Sequence, residues 1–214
     1  MLAGVPEEDV RLLLQIARRR RFSKGEVVFH RDDPADSLHL IQTGRFAVRI
    51  AAPLGDVVAV AVRGPGQAFG ELALVGDGRR RAATVAALED GETFAVYQDD
   101  FARIRREHPE VDRVLIASLA AEVRLLDERL VEALYVPAEQ RVLRRLLELS
   151  EVYDATIPLT QEVIAELAGT SRATVNRVLN EEEKRGTLAL RRGRTTLLDA
   201  DSLKRRARVT AAWQ

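Results

Sequence analysis

The sequence predicts an α+β protein: an N-terminal antiparallel β-roll of jelly-roll type, one long helix, and a C-terminal group of short helices ending in a β-hairpin. Three observations carry that prediction. Between Phe22 and Tyr97, short Val-, Ile- and Phe-rich segments (EVVFH, SLHLIQTG, RFAVRI, DVVAVAV, TFAVY) are punctuated by Gly25, Gly44, Gly55, Gly64, Gly66 and Gly91, the rhythm of strands and tight turns. From His108-Pro109 to Pro137, Ile116, Leu119, Val123, Leu126, Leu130 and Ala133 recur at alternating steps of three and four, a helical seam of coiled-coil type. Beyond Pro137, amphipathic helical patterns surround a Gly169-Thr170 break and precede a strand-turn-strand pattern.

Taken in chain order, EEDVRLLLQIARRR at 7–20 begins with acids and ends with arginines, which suits the dipole of a single short helix. The strand-rich region follows and gives a β-roll domain over 1–107. The long helix occupies 108–136 and would reach about 40 Å at 1.5 Å per residue; its regular seam predicts pairing with a second copy, a homodimer. A second stripe, Val114, Leu115 and Leu134, is expected to pack on the roll. The third region, 137–214, opens with RVLRRLLELS as another helix.

Composition narrows the functional classes. With 214 residues, 46% of them hydrophobic, the chain can bury one large or two modest cores. Cysteine is absent, which excludes disulfide scaffolds, thiolate-held iron–sulfur clusters and cysteine nucleophiles. His30, His39 and His108 form no HxH pair, so a cupin-like metalloenzyme lacks its clustered ligands and neither metal nor haem is expected. No nucleophile–base constellation stands out, and the expectation is a protein that is not an enzyme. No apolar run approaches 18 residues and the N-terminus lacks a secretory pattern, so no membrane partner is expected and cytoplasm is the default. The net charge is zero, yet 138–214 holds 14 basic against 11 acidic residues, a surplus of +3, and mildly favours a nucleic-acid partner for that part.

The C-terminal motif is the most informative stretch. Thr160 is placed to cap a helix whose apolar face is Val163, Ile164, Leu167 and Ala168. Ser171 is placed to cap a second, in which Val175, Val178 and Leu179 point inward while Arg172, Ala173, Asn176, Arg177 and Asn180 fall on the other side, with Thr174 in the first turn. Guanidinium and amide groups on one face suit guanine and adenine edges in the major groove of double-stranded DNA. Two helices joined by a glycine-containing turn make a helix-turn-helix. LALRRGRTTLLD then reads as a hairpin wing with Arg191, Arg192 and Arg194 at its tip, placed for phosphates. Glu181, Glu182 and Glu183 are expected to turn away from DNA.

One stretch of the roll stands apart: FGELALVGDGRRRAATV sets Glu71, Arg79, Arg80 and Arg81 among glycines and apolar residues, where charge needs a partner. Glu71 and Arg81 either pair with each other or answer a ligand. GELALVGDGRRRAATV is similar to the phosphate-binding cassette of cyclic-nucleotide-binding domains. Followed by a long helix and SRATVNRVL, it resembles the CRP/FNR family of bacterial transcription regulators over nearly the whole chain. The resemblance implies a pocket of Gly70, Glu71, Leu72, Arg81, Ala82 and Ala83. Arg81 would meet the cyclic phosphate and Glu71 the ribose 2′-hydroxyl, ELAL would form a short helical turn favouring the anion, and Arg79 and Arg80 would be solvated. Cyclic AMP is the implied effector, and Leu126 and Asp127 fall where the base meets the long helix; Asp127 is expected to accept from the exocyclic amine. An effector-independent regulator with a vestigial pocket is the alternative. The resemblance also implies a palindromic DNA site, contact with RNA polymerase, and a half-site related to TGTGA with one base pair relaxed, because Ala173 stands where a glutamate often reads cytosine. An FNR-type oxygen sensor would need the missing cysteines.

Overall fold

The structure, a computed structural model, describes residues 7–51, 57–75 and 80–207. Gly55 and Arg79 of the stretches above lie outside the described residues. The elements run α1 (Glu7–Ile16), β1 (Arg18–Phe22), β2 (Val27–Phe29), β3 (Ser37–Thr43), β4 (Phe46–Ala51), β5 (Val57–Arg63) and β6 (Ala68–Phe69). A 3₁₀ turn (Glu71–Leu74), β7 (Thr84–Ala87), β8 (Gly91–Tyr97), α2 (Gln98–Glu107), a second 3₁₀ turn (Pro109–Val111) and α3 (Asp112–Tyr135) follow. The C-terminal elements are α4 (Ala138–Tyr153), β9 (Thr156–Ile157), α5 (Gln161–Ala168), α6 (Arg172–Lys184), β10 (Leu188–Arg191), β11 (Arg194–Leu197) and α7 (Ala200–Arg206). By compactness the chain divides into one unit of 1–56 with 60–127 and a second of 57–59 with 128–214.

In the first unit the roll consists of two four-stranded antiparallel sheets, ordered β1-β8-β3-β6 and β2-β7-β4-β5. β3 is buried on both faces, and the period-2 alternation of a strand divides its side chains between two cores. Leu38 and Leu40 join Val96, Phe101, Ile104, Val111, Val114 and Leu115 in a core that receives the helices. Ile41 joins Phe22, Phe46, Phe69 and Val85 in the other. His39 lies between these rings, stacked on Phe69 at 5.0 Å, with Nδ1 2.9 Å from Thr93 Oγ1. Burial first, then Arg81, pull its pKa down to about 3, so the imidazole is neutral near pH 7.

Two expectations are corrected here. The N-terminal helix stops at Ile16 rather than running to residue 20, because the arginines after it form β1 on the edge of β8. Arg19 Nε and Arg21 Nε reach the two carboxylate oxygens of Glu92 at 2.6 and 2.8 Å, and Phe22 is carried into the aromatic core. Of the second stripe on the long helix, Val114 and Leu115 are buried as expected, but Leu134 is 66% exposed. Of the seam, Leu119 packs partly on the core, whereas Ile116, Val123, Leu126, Leu130 and Ala133 are exposed.

The second unit gathers α4 to α7 around Val142, Leu146, Ile164, Val175, Leu179 and Leu203, all buried. β9 pairs with β11 and β11 with β10, a three-stranded antiparallel sheet. α2 and α7 have no counterpart among the sequence expectations.

Candidate functional site

Gly70, Glu71, Leu72, Arg81, Ala82 and Ala83 line one cavity of about 210 Å³ in the first unit, with Phe29, Arg63, Glu122 and Leu126 also in its wall. β6 delivers the chain to Gly70, whose φ of 82° lets the backbone turn directly into the 3₁₀ helix of Glu71–Leu74. Arg81 is 5% exposed. Its Nη1 donates to Ser37 O at 2.6 Å, and Nη2 donates to Asp36 Oδ1 at 2.9 Å and Ser37 Oγ at 3.0 Å. The guanidinium lies 3.9 Å from the centroid of the Phe29 ring, and its Nε has no hydrogen-bond partner among the described residues. Burial lowers the Arg81 pKa and Asp36 acts against it.

Glu71 and Arg81 do not pair with one another among the described residues; Arg81 takes Asp36 instead. The Glu71 carboxyl is left in the wall, its pKa raised by burial and further by Glu122. The two charged side chains thus stand in one cavity with unused polar capacity. Asp127 is exposed on α3 and is not part of the lining, although its neighbour Leu126 is. Arg80 is exposed and donates to Asp32 O at 2.7 Å.

Gly70 carries a direct test. A Cβ there would meet Arg81 Nη1 at 2.8 Å and Ser37 O at 2.9 Å, on a left-handed backbone that costs a non-glycine residue about 1–3 kcal/mol. Gly70→Ala is therefore expected to lower the melting temperature and to displace Arg81, and an unchanged thermal unfolding curve would show that the turn relaxes freely.

The second site is in the C-terminal unit. Thr160 Oγ1 accepts from Val163 N at 3.4 Å and opens α5; Gly169, at φ 57°, ends it; Ser171 Oγ accepts from Thr174 N at 3.1 Å and opens α6. Both caps stand as expected, and Thr174 Oγ1 lies 3.0 Å from Ser171 Oγ. Val175, Val178 and Leu179 are buried, leaving Arg172, Ala173, Asn176, Arg177 and Asn180 exposed along one helix face. The Asn176 amide donates to Gln161 Oε1 at 3.1 Å and the Asn180 amide to Asn176 Oδ1 at 2.9 Å. Arg177 Nη2 donates to Glu139 at 2.6 Å. The hairpin places Arg191, Arg192, Gly193 and Arg194 at its exposed tip, with Arg191 opposite Arg194.

The three residues of the acidic run in the second half of α6 take different partners. Glu181 turns back to Arg177 at 3.3 Å. Glu182 is 1% exposed and holds Arg206, Arg185 and the Thr187 hydroxyl, which ties α7 to α6. Glu183 accepts from Leu190 N at 2.9 Å. Arg141 was not singled out in the sequence; its guanidinium donates to Val136 O, Ala168 O and Gly169 O, each at 2.9 Å, fixing the turn between α5 and α6.

Comparison with known proteins finds a family for each part of the chain. A cyclic nucleotide-binding domain family covers residues 19–108, and a Crp-like helix-turn-helix domain family covers residues 140–206. A cyclic AMP receptor protein of Thermus thermophilus is 32% identical over 202 residues, which span 94% of this chain and 93% of the relative. The chain belongs to the CRP/FNR family of transcription regulators. This CRP/FNR regulator is also 28% identical to the CRP-like cAMP-activated global transcriptional regulator of Mycobacterium tuberculosis, over 96% of the chain and 95% of the relative. Among solved structures it is similar to the catabolite activator protein of T. thermophilus, with 31% identity, TM-score 0.55 and coverage of 96% and 97% of the two chains. The regulator thus joins a cyclic-nucleotide-binding domain to a DNA-binding helix-turn-helix domain. Among the described residues no helix is long and apolar enough to cross a membrane, and no group of three or more His, Cys, Asp or Glu is placed to hold a metal.

Proposed function

We propose that the regulator binds a palindromic site in double-stranded DNA as a homodimer and that a cyclic nucleotide in the roll, cyclic AMP in the first instance, shifts that binding. The observation that carries the effector half is Arg81: a buried guanidinium, already oriented by Asp36 and Ser37 and with a buried Nε that has no partner among the described residues, in the lining of a cavity that also holds Glu71. A cyclic phosphate answers the cation and a ribose 2′-hydroxyl answers the carboxylate. In this reading 1–107 senses, 108–136 pairs two copies through the exposed residues Ile116, Val123, Leu126 and Leu130, and 137–214 reads DNA. The ligand acts by binding one spacing of the two recognition helices better than another; successive major grooves require about 34 Å. Contact with RNA polymerase belongs to the same reading.

Arg172 and Arg177 read guanine, Asn176 supplies an amide to the same edge, and Thr160, Ser171, Arg191, Arg192 and Arg194 meet phosphates through backbone N–H groups or guanidinium. The test is selection of bound duplex from a random pool with and without cyclic AMP, which reports site, spacing and effector dependence together. Arg177→Ala is expected to weaken the selected palindrome by about 1–3 kcal/mol while leaving random duplex nearly unchanged. Equal loss on both, measured by titration at fixed salt, would reduce Arg177 to a phosphate contact.

A further inference from the structure

The cavity wall carries a second charged pair besides Glu71 and Arg81. Arg63, the last residue of β5, donates through Nη2 to Glu122 Oε2 on α3. Both side chains are largely withdrawn from solvent, at 11% and 25% exposure, and Val60, Ala68 and Leu126 beside them in the lining are apolar. An ion pair in such surroundings gives the fold little net stability, since desolvation offsets most of the attraction. The remaining Arg63 N–H groups and Glu122 Oε1 make no further hydrogen bond among the described residues, although Arg63 attracts and Glu122 repels the charge of the nearby Glu71 carboxyl. What the pair offers the cavity is an N–H donor beside a carboxylate acceptor.

Helix geometry explains why Glu122, and not Asp127, is the acid in the wall. Glu122 and Leu126 are four residues apart and share one face of α3, and both line the cavity. Asp127 is one further step of about 100° around the helix and is exposed outside the lining.

We propose that the Arg63–Glu122 pair reads the base edge of the bound nucleotide, Glu122 accepting from an N–H of the ring edge and Arg63 donating to the acceptor next to it. This rests on the cyclic-nucleotide reading above. The chemistry required is an N–H beside an acceptor, which adenine supplies as its exocyclic amine and N1, and guanine as N1–H and O6. A purine without substituents at that edge has acceptors only.

Calorimetric titration of the full chain with cyclic AMP, cyclic GMP and the cyclic phosphate of unsubstituted purine riboside tests it, the first two arms telling the two bases apart. At least one of the natural nucleotides is expected to bind tighter than the unsubstituted analogue by about tenfold or more. Arg63→Met/Glu122→Leu removes both charges together and leaves no orphan in the wall; it is expected to bring all three ligands within about threefold of one another. Glu122→Gln, uncharged and of the same shape, should by itself cut the preference at least about threefold, and it keeps the test alive if the double variant melts early. A wild-type chain that does not discriminate against the analogue, or variants that retain the full preference, would overturn the base-reading role and leave the nucleotide reading standing. Wild-type protein that binds none of the three would overturn both.

Discussion

Arg81→Ala is expected to lower cyclic-nucleotide affinity by about a hundredfold or more. The argument begins with burial: at 5% exposure the guanidinium is held by Asp36 and by the carbonyl and hydroxyl of Ser37, against the face of Phe29. Its orientation is therefore set before any ligand arrives, and little side-chain entropy remains to be lost on binding. Truncating one partner of a desolvated, hydrogen-bonded charge pair costs about 2–5 kcal/mol, because the other charge stays buried and unpaired; at 1.4 kcal/mol per decade the middle of that range exceeds a hundredfold. Arg81→Lys should fall between, since an ammonium keeps the charge but cannot hold Asp36, Ser37 and an anion with one planar fork. Calorimetry decides, accompanied by a ligand-free melt to separate lost affinity from lost fold. Affinity of Arg81→Ala within about threefold of wild type would remove this residue from the site.

The second large effect is expected in the C-terminal unit. Arg145 is 2% exposed on α4, donates through Nη1 to Glu148 Oε2 at 2.7 Å and through Nη2 to Glu132 on the last turns of α3. Glu132 also accepts from Arg144 at 3.0 Å, and Glu148 from Arg129 at 2.7 Å. Arg145→Ala removes the buried member of this network and its two charge-assisted hydrogen bonds while Glu132 keeps Arg129 and Arg144 and Glu148 keeps Arg129, a loss of about 1.5–3 kcal/mol. Urea unfolding followed by circular dichroism should show the loss as a shift of midpoint. Replacing Arg145, Glu132 and Glu148 together by Met, Leu and Leu should recover most of it, because apolar side chains of similar volume carry no desolvation cost. If the single variant unfolds like wild type, the network contributes no more than a surface ion pair.

Much of the fold was legible because local signals and tertiary packing agree. Ser171 and Gly169 announce the helix-turn-helix through capping chemistry that operates within a few residues, and the structure uses both. The strand from Ser37 to Thr43 was legible as apolar. That its two faces feed different cores was not, since period-2 alternation disappears when both sides are buried. The arginines at 18–20 misled because basic residues after an amphipathic stretch suit a helix end equally well. Glu92, 71 residues downstream of Arg21, decides for a strand, and no local pattern contains it. Nothing local in the EEE run singles out Glu182, yet it is the buried anchor of α7. Gly70, Glu71, Leu72, Arg81, Ala82 and Ala83 were named from one contiguous motif and fall in one cavity. Arg63 and Glu122 belong to no motif and meet only because β5 and α3 approach across the roll.

The three hydrogen bonds of Arg141 have a mechanical consequence. A single rigid, planar group grips the chain one residue past the end of α3 and the last two carbonyls at the end of α5, so within the second unit these two stretches are held to one another. How firmly the two stretches stay together then depends on one guanidinium and three oxygens.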